Sequence, residues 1–237
     1  MKFNSGQVIK FLAIYSSLIV IIVSILVLNG YDINPKPGIK MALGLIIIWI
    51  ILLGTLMYLL RNKISNVVKK IQLDWRIKFV IFAIILALIE EAIAVLMTNL
   101  AKFFGSQIGV AYITASSNFF HTVLFHSAIV FFGMFIAWSY LLSKYDFSPN
   151  AVFLIFGLTG TLAEASINPS SLFAGFWFFV YGLMIYLPVY SLPKRKTIKP
   201  TIKHYVVAIV LTIIVGISFK IMAELIRTKF GIIFFTD

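Results

Sequence analysis

The chain has 237 residues, of which 61% are hydrophobic and 12% charged, and its mean hydropathy is +1.04. Soluble domains carry about 25% charged residues, so this composition excludes an ordinary soluble protein and predicts an all-α polytopic membrane protein. The net charge of +12 points to basic loops facing a membrane surface rather than to nucleic acid, and the absence of cysteine removes disulfides, thiolate metal sites and cysteine nucleophiles.

A span needs about 20 apolar residues. Seven segments qualify in chain order: 11–28, 41–60, 79–101, 119–143, 151–167, 172–192 and 205–223. The first is longer than the ~7–15 residues of a signal-peptide core, and no A-x-A site follows it, so it reads as a retained span. The fifth is short and the sixth follows it closely. Those two read either as two clean spans or as a re-entrant pair. We find no internal repeat.

Basic residues set the orientation. The 61–78 segment carries six Lys and Arg and the 194–203 segment five; with Lys2, Lys10 and Lys144 these make 14 of the 20 basic residues. Seven spans put all of them on one side, so the N-terminus is expected in the cytoplasm and the C-terminus outside. The plasma membrane is the expected location. Within 61–78, Ile64, Val67, Val68 and Ile71 recur at helical spacing among Lys63, Lys69 and Lys70. That pattern predicts a short helix on the cytoplasmic surface, held by anionic lipid. The 102–118 segment is too short for a span and too apolar for a solvated loop, so it is expected to dip into the membrane or to cover something.

Ionisable residues inside a bilayer cost at least ~2.5 kcal/mol each and are functional candidates by default. The third span holds Glu90 and Glu91, the fourth His121 and His126, the fifth Glu164, and the seventh Lys220 with Glu224. At ~1.5 Å per residue, Glu91 lies roughly 15 Å and His126 roughly 11 Å below the outer end of their spans. Glu164 and Lys220 are expected roughly 5 Å below it by the same count. The acidic and imidazole groups therefore gather in the outer half of the bundle. Glu91 shares a helix face with Thr98, whereas Glu90 points about 100° away. A carboxyl group that keeps its proton, next to a neutral imidazole, forms an acid–base pair. On one continuous helix His121 and His126 would diverge by about 140°. Lys220 and Glu224 stand four apart and are expected to pair with each other. Glu and His donors suit Zn, Mn or Fe alike, so the residue types name no metal. Zincin, P-loop and serine-hydrolase motifs are absent.

The order of these groups resembles the CAAX prenyl-protease and bacteriocin-processing family. Its motifs are E-E-x-x-x-R, F-x-x-x-H and H-x-x-x-N or H-x-x-x-D. Here "EEAIA" begins with Glu90 and Glu91 but no Arg follows; "SNFFHTVLFH" offers His121 and His126 with Ser117 and Thr122 in the Phe place. "EASIN" puts Glu164 where the last His belongs and keeps Asn168. The resemblance covers residues 86–168. It implies a polytopic membrane peptidase in which Glu90 and Glu91 activate water and His121 or His126 stabilises the oxyanion or moves a proton. Glu164 and Asn168 would form the third element. The residues themselves leave three readings open. One is a hydrolase acting on a membrane-embedded peptide or lipid. The second is a cation or proton transporter or channel using the same groups. The third is an assembly subunit whose buried polar groups fix helix packing.

Overall fold

A computed structural model of the chain describes residues 4–235; Lys2, counted above among the cytoplasmic charges, lies outside the described residues. The chain is 76% helix, and among the described residues there is no strand. Among the described residues, six helices are long and apolar enough to cross a membrane.

Helix α1 (Ser5–Asn29) starts at Asn4, whose side chain accepts from the Gly6 amide. Only 6% of its most apolar window is buried by the rest of the chain. A surface of that kind, with Phe11 and Leu26 both 67% exposed, has hydrocarbon as its solvent. Helix α2 (Lys36–Leu45) runs through a π-helical stretch at Ile46–Leu53 into α3 (Gly54–Lys70), so residues 36–70 form one long rod. The surface helix expected within 61–78 is therefore not a separate element. Residues 61–70 are the last turns of this rod, because nothing before Ile71 interrupts the backbone hydrogen bonds. Helix α4 (Trp75–Asn99) is capped by Asp74, which accepts from the Arg76 amide at 2.8 Å.

The expected fourth span is broken. Helix α5 (Phe119–Phe125) stops at His126, whose backbone (φ −131°, ψ −90°) leaves the helix, and α6 (Ser127–Lys144) starts anew. The fifth and sixth spans form a tight hairpin of α7 (Pro149–Ile167), the single turn α8 (Ser171–Ala174) and α9 (Phe176–Tyr190). Glycines let its arms touch: a Cβ on Gly160 would meet the Tyr181 ring, and one on Gly157 the Phe178 backbone. Helix α9 has only 15 residues, about 22 Å of rise. The hairpin tip meets α1 near its middle. Gly175, at φ +71°, lies against Ser16, and Tyr15 donates to the Phe173 carbonyl at 3.1 Å. Glu164, three residues from the end of α7, thus lies near the level of the middle of α1.

Helix α10 (Ile202–Lys229) closes the bundle against α6, where Gly133 admits the Phe219 ring. Its start is a capping box in which the His204 ring accepts from the Thr201 amide at 2.9 Å. The core lies between α4, α6, α7 and α9. Trp138, Phe135 and Phe156 are fully buried there, and Trp49 donates from its indole to the Val180 carbonyl at 3.0 Å.

The basic segments cluster at one end. The 144–146 and 198 backbones pair, Arg195 lies over the Trp75 ring, and the Tyr190 hydroxyl donates to Asn62.

Candidate functional site

Helix α4 is apolar enough to sit in the core, and that burial carries Glu90 and Glu91 with it, at 5% and 4% exposure. Buried carboxylates need donors. Glu91 has one for each oxygen. Thr114 donates to Oε1 at 2.7 Å, and Ser127 donates to Oε2. Thr114 belongs to the 102–118 segment, which folds over the end of α4. Its Ile113 amide donates to the Thr98 hydroxyl at 3.2 Å, one helix face with Glu91. The segment therefore covers the carboxylate pair. Glu90 lies within electrostatic reach of Glu91 and Glu164.

Glu164 accepts from the Tyr181 hydroxyl across the α7–α9 hairpin. The two carboxylate systems meet at a cleft of about 290 Å³ between α6, α7, α9 and α10, onto which His126, Ser127, Glu164, Tyr181, Lys220 and Glu224 open. His126 sits where the fourth long helix breaks. Its ring packs edge-on against Phe234 at 5.6 Å, and its Nδ1 is buried without a hydrogen-bond partner. The break turns Ser127 toward Glu91 while it leaves His126 on the cleft.

Two of the sequence candidates, His126 and Glu164, line the cleft; Glu91 lies behind Ser127, to which it is hydrogen-bonded, and neither it nor Glu90 reaches the lining. Two others stand apart from this group. His121 is on α5, before the break, and does not line the cleft. Asn168 is exposed at the end of α7, where its side chain accepts from the amide and hydroxyl of Ser170. It shapes the hairpin turn. The expected Lys220–Glu224 pair does not form either. Glu224 pairs with Arg227 one turn later, because the guanidinium fork reaches both carboxylate oxygens.

Ser127, Thr114 and Tyr181 are site residues that the sequence did not mark. Among the described residues, no three His, Asp or Glu side chains are grouped so as to hold a metal ion. Comparison of the chain with protein-family models, with curated proteins and with solved structures finds no match.

Chemically, the cleft offers a hydroxyl-bonded carboxylate, an imidazole, a lysine and the hydroxyls of Ser127, Thr159, Ser166 and Thr212, on walls that are otherwise apolar. Such a set can hold and polarise a water molecule beside a carbonyl, or pass a proton between carboxylates.

Proposed function

We propose that the chain is an intramembrane hydrolase of a cell membrane, acting on a peptide or lipid that enters the cleft from the bilayer. The observation that carries this reading is that His126, Ser127 with its bond to Glu91, and Glu164 open onto one cleft. In this account Glu164 takes the proton from an attacking water, whose oxygen adds to the substrate carbonyl, and Glu91 orients that water through the Ser127 hydroxyl. His126 stabilises the resulting oxyanion, and a carboxyl group returns the proton to the leaving group. A packing subunit would fill such a space, whereas here a cavity stands beside an imidazole and a carboxylate.

The proposed orientation puts the N-terminus in the cytoplasm, with the clustered basic loops. The α7–α8–α9 hairpin then enters from the cytoplasmic side and returns, which keeps the C-terminus outside. The basic end of α3, with Lys63, Lys69 and Lys70, meets anionic lipid there.

Proton or cation transport is the second reading. It is favoured by the helix interruption at His126, since broken helices line the binding sites of transporters. One experiment separates the two. The protein is reconstituted and given a panel of quenched-fluorescent transmembrane peptides and acyl esters, with a pH-sensitive dye in the lumen of parallel vesicles. Hydrolysis that Glu91→Gln lowers by about 10²-fold or more supports the first reading. A Glu91-dependent proton flux with no turnover overturns it in favour of the second.

A further inference from the structure

Lys220 lies on the α10 wall of the cleft, nine residues before the helix ends at Lys229. A cation at membrane depth needs a counter-charge. Two acids share the wall; Lys220 is exposed and within electrostatic reach of Glu164, but the close partner of each acid is another residue. Glu164 accepts from Tyr181, and Glu224 pairs with Arg227. Among the described residues, the Lys220 ammonium has no carboxylate within 4.0 Å and makes no hydrogen bond.

The cleft is polar at one end and apolar at the other. Helices α6 and α10 run antiparallel, so Ser127 on one and Lys220 and Glu224 on the other share the end toward the α10 C-terminus. Two turns further in, the walls are Val130 and Met134 on α6 and Gly216, Ile217 and Ile213 on α10. From Lys220 to Ile213 is seven residues, about 10 Å along the helix. The volume of about 290 Å³ is at the lower edge of the ~300–1,000 Å³ of small-molecule sites.

We propose that the cleft binds a single-chain anionic amphiphile, a fatty-acid-like carboxylate, with its head on Lys220 and its chain between α6 and α10. One ammonium without a close ion pair calls for one negative charge. A doubly charged head would meet repulsion from Glu164 and Glu224. The space holds one short chain and excludes the bulk of a diacyl lipid. This assignment concerns what the cleft holds and does not depend on hydrolysis.

Native mass spectrometry of the full chain, released from a neutral maltoside detergent with added dodecanoate, tests it. The wild type should saturate with one dodecanoate. Lys220→Met should bind at least about tenfold more weakly, the loss expected for one charged hydrogen bond. Lys220→Arg should retain binding, which shows that the charge is what counts, and dodecanol should bind poorly to all three. Equal dodecanoate binding by wild type and Lys220→Met would overturn the proposal, as would dodecanol binding as well as dodecanoate. Lys220-dependent binding of phosphatidylglycerol without dodecanoate binding would also overturn it, and would assign the lysine to a bulk-lipid headgroup.

Discussion

Glu91 carries a donor on each carboxylate oxygen, and both donors are hydroxyls from other elements. Ser127→Ala removes one of them and leaves a buried carboxylate oxygen without a partner. That costs about 1–3 kcal/mol, read as a lower denaturation midpoint in detergent. Tyr181→Phe does the same to Glu164, with a loss of similar size. If either variant is as stable as the wild type, the hydroxyl–carboxylate bonds contribute nothing. At this scale the sequence was half legible. Two glutamates in an apolar run stand out by cost alone. Their donors do not, because a Ser, Thr or Tyr in an apolar helix is common, and these lie 36, 23 and 17 residues from the acids they serve. The semi-polar character of 102–118 was the one available signal for Thr114. The role of Asn168 went the other way. Its motif position pointed to the site, and its side chain is spent on the turn into α8.

Glycines let the arms of the α7–α9 hairpin close on each other, and the Tyr181–Glu164 bond spans them. Gly160→Leu forces a branched side chain into the Tyr181 ring, so the two arms must part. Overpacking of this kind costs about 1–3 kcal/mol, and here it also moves Tyr181 off Glu164. The expected outcome is a loss of stability together with a loss of activity; Gly38→Leu, where a Cβ meets nothing within 4 Å, serves as the control and should change neither. Most helices were readable from apolar length. The break at His126 was not, since no Gly or Pro marks it and the apolar pattern continues through it. The π-helical stretch at Ile46–Leu53 is equally silent, being an unbroken run of large apolar residues. Nor could the sequence distinguish two short spans from a hairpin, because its period is the same in both.

Across the whole molecule, the hairpin tip sets the depth of the site. It rests against the middle of α1, so in the proposed orientation the site lies inside the bilayer. The chain has no cysteine, which makes single-cysteine labelling clean. In intact cells Leu172→Cys should resist a membrane-impermeant maleimide from either side. Asp32→Cys should react from outside, and Lys196→Cys only after the cytoplasmic face is opened. Labelling of Leu172→Cys from outside would mean that α7 and α9 both cross. The charge asymmetry behind this orientation was fully visible in the sequence, and the clustering of the 61–78, 144–146 and 194–203 segments at one end of the bundle is what it requires.

The central claim is that His126 and Glu164 on the cleft act together with Glu91, which reaches it through Ser127, while His121 and Asn168 stand apart from it. The measurement that tests it most directly is turnover by Glu91→Gln, His126→Ala, Glu164→Gln, His121→Ala and Asn168→Ala, side by side on one cleaved substrate in lipid nanodiscs. The first three should each lose about 10²-fold or more, as expected for groups that transfer protons or stabilise charge in the transition state. The last two should stay within about threefold of the wild type, a difference of under ~1 kcal/mol. Full activity in Glu91→Gln, or a loss in Asn168→Ala as large as that in His126→Ala, would contradict the account.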